Sequence, residues 1–418
     1  MVLFYQTITK MANTLICEGT QMSLYNRIFY VCILLLCAAF IFFGNRIASS
    51  GDLLGFTDHD DGGLAFHPAT ITRIVDVVDD DNFGFITTSV TFEARLTERA
   101  RRGEEVVAVQ LLSDFFTIQE RPVEMGDRVM LAFDDFDNEY FFTDYLRVNA
   151  VAVLGVAFLV LVVIFGRAKG FNAIIALMFT CLAVFLVFIP AILAGRNIYA
   201  ATLIVCLFSI VSTLLIVIGP NKKALSAMLG CLGGVMLASI LMLVMDSVLH
   251  LSGMADHDSQ TLFMMSAQSP IDLRAIVFAG IILGAVGAIM DVAMTISSSL
   301  WEVQEVGAVT EFRPLFKSGI NIGRDVLGTM LNTLILAYIG SSLSLILVLV
   351  VLSPSYLQLF NMELLSVEFV RALIGAFGMF ATIPLTALIC GLLYSVQRKN
   401  EPTKSLRGSK RLDSHIDN

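Results

Sequence analysis

Residues 149–165 read NAVAVLGVAFLVLVVIF, a run of seventeen residues without a charged side chain. A helix of this composition is close to the length needed to cross a membrane, which is roughly 20 mainly apolar residues. Further runs of the same kind follow, so the sequence predicts an all-α membrane bundle. We place the later spans at 171–194, 199–218, 224–249, 271–296, 326–352 and 367–395.

The composition of the whole chain agrees with a membrane protein. Of 418 residues, 56% are hydrophobic and 15% are charged, and the mean hydropathy is +0.80, whereas soluble proteins average about 25% charged residues. This composition excludes a soluble enzyme and a disordered chain. The sequence carries no basic patch of the kind that binds nucleic acid, and no nucleotide, metal or common hydrolase motif. We therefore predict no enzyme activity, no cofactor and no metal.

The first apolar run, Ile28–Phe43, has two interpretations. We favour a transmembrane anchor over 28–43, preceded by a cytoplasmic segment over 1–27. A cleaved signal peptide is the alternative, because Arg27 precedes the run and small residues follow it. Met22 is an alternative start of the chain.

The only long polar segment is 44–148, which holds 21 acidic residues and 9 arginines and so carries a charge of −12. Alternating apolar and polar residues, separated by turn residues, predict five or six short strands. The segment is therefore expected to be a small β-barrel or sandwich between the first and second helices. The strand patterns lie at 69–75, 86–92, 105–111, 128–133 and 140–145.

Lysine placement predicts the orientation, because cytoplasmic loops are enriched in lysine and arginine. With eight spans and the N-terminus inside, every lysine of the chain falls on the cytoplasmic side. The acidic segment 44–148 then lies outside the cytoplasm, 149–395 forms a seven-helix membrane domain, and the basic tail 396–418 is cytoplasmic. The expected location is the plasma membrane.

One face of the predicted span 271–296 is small and polar. Gly280, Gly284, Gly287 and Asp291 recur at spacings of four, three and four, which places them on one side of a helix. Small residues allow another helix to approach closely, so a packing seam is one interpretation, with Asp291 near the cytoplasmic interface and partly hydrated, and with Ile282 facing lipid. The other is function, because an ionisable group inside a membrane is a functional candidate by default.

The next span begins with a second polar face. Asn321, Asp325, Thr329 and Asn332 recur at four, four and three, and a row of polar side chains entering an apolar span needs polar partners or water. Arg324 could pair with Asp291 or with the neighbours of Asp325; alternatively, as an arginine at a helix end, it only extends its side chain to the interface. The alternative is that Asp325 only caps the start of its helix.

These two stretches resemble the YibE/F family of bacterial multi-pass membrane proteins. The resemblance is carried by residues 284–293 and 319–338 and by Arg371, Gly375 and Pro384, and it covers roughly 69–395. It implies one anchor, an extracytoplasmic β-rich domain and a membrane bundle. It implies no particular reaction or substrate.

The first functional hypothesis is a secondary transporter or export permease. Asp291 and Asp325 would be the coupling carboxylates, and Asn321, Thr329 and Asn332 would line the path. The second is a non-transporting scaffold or sensor whose outer domain binds a ligand or partner; an intramembrane enzyme is least supported, because no nucleophile–base set is visible. Expected partners are the lipid bilayer and an unidentified small solute or ion, and a homo-oligomer is one option.

Overall fold

The computed structural model describes ten stretches of the chain, which form two compact units. The first unit spans residues 1–54 and 165–418, and its described residues are mainly helical. The second unit, residues 55–164, contains a β-barrel and the first half of a long helix. The described stretches are 24–48, 65–82, 85–98, 101–113, 121–134, 139–254, 257–265, 271–305, 311–353 and 355–397.

The second unit is a five-stranded closed barrel with the order β1-β2-β3-β5-β4. Strands β3 and β5 run parallel, and the other neighbouring pairs are antiparallel. The barrel is one of the two architectures expected, and each of the five predicted patterns lies within a strand. The strands are β1 Ala65–Asn82, β2 Phe85–Leu96, β3 Glu105–Ser113, β4 Arg128–Asp134 and β5 Glu139–Tyr145.

Alternation along β2 builds the barrel core. Val90, Phe92, Ala94 and Leu96 are all buried, because successive strand side chains point to opposite faces. Gln110 of β3 is also buried, and its side-chain oxygen accepts a 2.9 Å hydrogen bond from the backbone N–H of the segment before β4. This satisfied polar group ties that segment to the barrel.

Among the described residues, seven helical stretches are long and apolar enough to cross a membrane. The predicted anchor 28–43 lies inside the first helix, and the helices that carry the two polar faces are longer than predicted. The helices are α1 Leu24–Ala48, α2 Val148–Ala183, α3 Ile189–Leu193, α4 Ile198–Ile218, α5 Lys222–Leu249, α6 His257–Met265, α7 Leu273–Glu305, α8 Phe312–Ser341, α9 Leu343–Leu352, α10 Tyr356–Asn361 and α11 Glu363–Gln397.

The helical stretch Val148–Leu193 is interrupted twice. Arg167 has φ 47° and ψ −129°, which is not helical, and it falls in the predicted connection between two spans. Residues Val184–Phe188 then form a π-helical turn just before Pro190. Proline has no N–H for the helical hydrogen bond and its ring crowds the preceding turn, so a widened turn is a natural accommodation.

Helix α11 is the centre of the bundle and packs against α5, α7 and α8. It approaches α5 tightly, because a Cβ on Gly234 would overlap the hydroxyl of Thr382 and lie 2.9 Å from the carbonyl oxygen of Gly378. One turn away, a Cβ on Gly230 would overlap the Thr386 hydroxyl in the same way. These glycines let two backbones meet at a distance that no larger residue permits.

One end of the bundle is basic. The start of α5 meets the end of α11 through a 3.0 Å hydrogen bond between the hydroxyls of Ser226 and Tyr394. The end of α7 joins them, because the Trp301 and Tyr394 rings pack edge to face with centroids 5.3 Å apart. Lys222 and Lys223 open α5 and therefore lie at this end.

At the opposite end, α11 begins with Glu363. Its carboxylate accepts hydrogen bonds from the backbone N–H groups of Ser252 and Gly253, at 2.7 and 3.0 Å, and from the Ser252 hydroxyl at 2.8 Å. Gly253 has φ +77°, a conformation that favours glycine. The carboxylate thus fixes the loop after α5 to the start of α11.

The contact between α5 and α11 predicts a strong effect of side-chain size at Gly234. We expect Gly234→Leu to lower the free energy of unfolding by about 1–3 kcal/mol or more, because neither Thr382 nor the Gly378 carbonyl can move far. Gly340→Leu is the matched control, since a Cβ there meets nothing within 4 Å. Thermal unfolding of the purified variants in detergent measures both. Equal melting temperatures would show that this contact does not limit packing.

Candidate functional site

The small, polar face of α7 points away from the bundle core. Gly280, Gly284, Gly287 and Asp291 are all exposed, while Ile282 is buried, with 1% of its surface accessible. The prediction that Ile282 faces lipid is therefore wrong. The sequence analysis assigned the wrong face of α7 to the core. The apolar residues between the glycines form the side that contacts α5 and α11, and the glycines do not.

The predicted packing seam on α7 is wrong for two of its three glycines among the described residues. A Cβ on Gly280 or Gly287 would meet nothing within 4 Å. Only Gly284 has a neighbour, the Tyr338 hydroxyl of α8, which would lie 3.0 Å from a Cβ. The surface at Gly280 and Gly287 is open.

Other glycines, which the sequence analysis did not single out for packing, hold α8 against α11. A Cβ on Gly319 would lie 2.7 Å from Ala387, and a Cβ on Gly323 would overlap the Ile383 side chain. Both glycines are buried. The spacing of four residues between Gly319 and Gly323 was the sequence signal for this contact. Both glycines lie on the face of α8 opposite its polar residues.

Asp325 is not a helix cap. Helix α8 begins at Phe312 with Glu311 at its N-cap, so Asp325 lies thirteen residues inside, about 20 Å along the axis at 1.5 Å per residue. The interpretation that Asp325 only caps its helix is therefore wrong. The apolar stretch recognised in the sequence starts later than the helix does.

The polar stripe of α8, comprising Asn321, Asp325, Thr329 and Asn332, lies on the surface of the chain. Thr329 donates to the backbone carbonyl of Val326 in its own helix, at 3.0 Å. Within the described part of the chain, the side chains of the other three have no hydrogen-bond or ion-pair partner. The structure therefore leaves three polar side chains of this helix face, Asn321, Asp325 and Asn332, exposed and without a partner among the described residues.

Asp291 and Asp325 lie at the same level of the bundle. Each is thirteen or fourteen residues, or about 20 Å, from the end of its helix that faces the α7–α8 connection. Contacts with α11 agree with this. Ile289, two residues before Asp291, lies beside Gly378, and Gly323, two residues before Asp325, lies beside Ile383, so both aspartates lie at the level of α11 between these two residues. The two carboxylates therefore share one level on neighbouring helices.

The predicted pairing of Arg324 is not observed. Among the described residues, no ion pair within 4.0 Å joins Arg324 to Asp291 or to Asp325. Arg324 is exposed, like its neighbour Asp325. Arg324 therefore adds a positive charge next to Asp325 without pairing with either carboxylate among the described residues.

A second polar cluster, which the sequence analysis missed, lies nearer the other end of α11. Arg371 Nη1 donates to Glu368 Oε1 at 2.8 Å, and the side chains are 30% and 15% exposed. The Ser342 hydroxyl, just after α8, donates to the other oxygen of Glu368 at 2.6 Å. The sequence signal for this cluster was an acidic and a basic residue three positions apart at the start of an apolar span.

Tyr338 stands between the two levels. Its hydroxyl lies close to Gly284 of α7 and, at 3.9 Å from a Cβ position, to Gly375 of α11. The hydroxyl is buried without a hydrogen-bond partner among the described residues, and so is Arg371 Nε. Beside Tyr338 is a cavity of about 70 Å³, which Ser342 and Glu368 also line.

Polar groups thus occur at successive levels along α7, α8 and α11. The carboxylates lie at the level of about residue 382 of α11, and Arg371 is eleven residues earlier, about 16 Å away. Tyr338 lies between them. No group of three or more His, Cys, Asp or Glu side chains in the described residues could hold a metal ion.

Residues 154–396 match a family model described as YibE/F-like protein. The match covers all of the helices that carry the two polar faces and the Glu368–Arg371 cluster. No curated protein matches the chain, and no solved structure matches it.

The Glu368–Arg371 pair predicts energetic coupling. Removing one partner of a shielded ion pair leaves an uncompensated charge, so we expect Glu368→Gln to lower the free energy of unfolding by about 1–3 kcal/mol, less than for a fully buried pair because Arg371 is partly exposed. The double variant Glu368→Gln/Arg371→Met should recover most of this loss. A double-mutant cycle from thermal unfolding measures the coupling; strictly additive effects would contradict it.

Proposed function

The chain belongs to the YibE/F family, and we propose that it is a multi-pass membrane protein acting as a secondary transporter that exports a small solute or ion. One observation carries this proposal: two carboxylates, Asp291 and Asp325, lie at the same level in the middle of long apolar helices. An ionisable group at that depth is costly and is retained for a function. We do not expect an enzyme activity.

In the proposed topology the protein lies in the plasma membrane, crosses it eight times and has both termini in the cytoplasm. The stretch Val148–Leu193 has 46 residues, about 69 Å of helix, whereas the hydrocarbon core is about 30 Å thick. The interruption at Arg167 divides it into two crossings. The barrel then lies outside, and the basic end of the bundle lies on the cytoplasmic side, as lysine enrichment favours.

This topology sets the depth of the carboxylates. Lys222 marks the cytoplasmic interface at the start of α5, and Cys231, nine residues or about 14 Å further on, has its sulfur 3.9 Å from the carbonyl oxygen of Ile289. Half of the hydrocarbon core is about 15 Å. Asp291, two residues after Ile289, is therefore placed near the bilayer midplane, and Asp325 with it.

The chemistry of coupling follows from this position. A carboxylate in the apolar interior of a membrane is costly unless it binds a proton or a cation, so we propose that Asp291 and Asp325 bind the coupling ion. A site that exchanges a proton or cation between two states is what a carrier without an ATPase motif needs for coupling.

The remaining polar residues support a route through the membrane. Asn321, Thr329 and Asn332 extend the polar stripe to either side of Asp325. Further toward the outer end, Tyr338 faces α7 and α11, on a different side of α8 from the stripe, and the Glu368–Arg371 pair of α11 follows. We propose that Asp291 and Asp325 couple transport and that the Glu368–Arg371 pair controls the outer side of the route.

A sensor or scaffold is the second candidate, and the barrel is the observation that favours it. Val107 and Leu111 of β3 are 56% and 61% exposed, and they lie on the outward face opposite Glu93 and Ser89 of β2. An apolar patch on an otherwise acidic domain suits a protein or ligand partner. In that case the barrel would be essential and the carboxylates dispensable.

The transport proposal predicts that Asp325→Asn abolishes function without unfolding the protein. Asn keeps the size and polarity of the side chain but cannot exchange a proton. A deletion strain grown on a panel of metals, osmolytes and drugs first identifies a condition that needs the protein, and complementation then compares the variants. Asp258→Asn, an exposed acid on α6, is the control expected to complement fully. Full complementation by Asp325→Asn would overturn the proposed coupling role.

The proposed topology predicts opposite labelling of two sites. Lys222→Cys should react with a membrane-impermeant maleimide only when the cytoplasmic side is accessible, and Glu104→Cys, in an exposed turn of the barrel, only from outside. Intact spheroplasts and inverted vesicles provide the two conditions, and the parent protein gives the background from native cysteines. Reaction of both sites from one side would refute the topology.

A further inference from the structure

We propose that the polar stripe of α8 is the interface between two copies of this chain, so that the transport route is completed by a second copy. This inference rests on the proposed membrane depth of the stripe. In one copy, Asn321, Asp325 and Asn332 are exposed and have no side-chain partner among the described residues. Facing lipid, a charged residue at this depth costs about 2.5–3.5 kcal/mol or more, so the stripe needs a cover.

The spacing of the stripe is that of a helix–helix seam. Asn321, Asp325, Gly328 and Asn332 are separated by four, three and four residues, the pattern that faces a partner helix in a left-handed coil. The opposite face of α8 is already used against α11 through Gly319 and Gly323. Helix α8 therefore has two packing faces, of which one is filled within the chain and one is open.

Gly328 marks the point of closest approach. A Cβ there would meet nothing within 4 Å in the single copy, and it lies between Asp325 and Asn332, about one turn from each. Glycine at the centre of a seam lets two helix backbones come close. Two α8 helices can therefore cross at Gly328.

The chemistry of the stripe suits a second copy of itself. A two-fold axis along the membrane normal places like residues opposite each other, and an asparagine amide both donates and accepts, so Asn321 and Asn332 can each pair with their own counterparts. A polar residue at such a seam position specifies the register of a dimer. Arg324 and Asp325 carry opposite charges at one level, so each can face the other across the axis.

The consequence for transport is that the two Asp325 carboxylates come near each other and near both copies of Arg324. The coupling group would then be a set of residues shared by two chains, and a single copy would hold an incomplete site. The open surface at Gly287 beside Asp291 would border the same interface. A monomer in the membrane would have no reason to keep these groups at the midplane.

Disulfide cross-linking in proteoliposomes tests this interface. The Asn332→Cys change is made in a background variant in which Cys17, Cys32 and Cys181 are replaced by serine, and copper phenanthroline is used as the oxidant. We expect a covalent species of twice 45.7 kDa. Leu237→Cys is the control, because it is 45% exposed at a similar level on α5, where the adjacent Ala238 lies beside Gly378. Equal cross-linking at both sites would mean collision, and would overturn the proposal.

A second pair of variants separates the interface from the fold. Gly328→Leu should abolish the Asn332→Cys cross-link and halve the mass of this protein per nanodisc, whereas Gly340→Leu on the same helix should change neither. A monomeric parent protein, or a stripe covered by a different polypeptide, would overturn the second-copy assignment. If Gly328→Leu does not fold, the comparison of Asn332→Cys with Leu237→Cys decides alone.

The outcome is independent of transport activity. A cross-linked dimer in which Asp325→Asn still complements growth would contradict the coupling role and keep the interface. A complementing protein without the cross-link would keep transport and remove the interface.

Discussion

The close approach of α5 and α11 is the contact on which the rest of the bundle depends. Gly230 and Gly234 leave no room for a side chain, because Thr386 and Thr382 of α11 occupy the space. Their hydroxyl groups lie against a partner backbone, and Thr382 also donates to the carbonyl of Gly378 at 2.8 Å. Because α5 occupies one side of α11, α7 and α8 pack against its other sides, and α11 lies at the centre of the helical bundle.

The same geometry explains why the polar residues are on the outside. Helix α8 presents Gly319 and Gly323 to α11, and 3.6 residues per turn then carry Asn321 and Asp325 to the far side. Helix α7 is similar, since Ile282 and its apolar neighbours fill the core while Asp291 does not. In each helix the requirement for tight packing on one face fixes where the charge must be.

The sequence allowed the barrel and the apolar helices to be predicted, because both have strong periodic signals. The strand patterns of 44–148 correspond to β1–β5, and each predicted span overlaps an apolar helical stretch. The bounds of the span predicted at 326–352 are wrong, because α8 ends at Ser341 and a separate helix, α9, follows. The start of α8 was misjudged because Phe312–Ile320 contains Arg313 and Lys317, which lower its hydropathy without preventing a helix. The packing glycines were misassigned because a glycine row shows that a close approach is permitted, but not which helix makes it; Gly234 needed its Thr382 partner to be recognised.

The edge-to-face contact of Trp301 with Tyr394 has a spectroscopic consequence. Trp301 is the only tryptophan of the chain, so the whole indole emission comes from the end of α7, where the ring packs 5.3 Å from that of Tyr394. The adjacent Gln304 side chain donates to the carbonyl of Tyr394 at 2.9 Å, so α7 and α11 separate only if this environment changes. The native protein therefore contains an intrinsic fluorescent reporter of whether these two helices stay together.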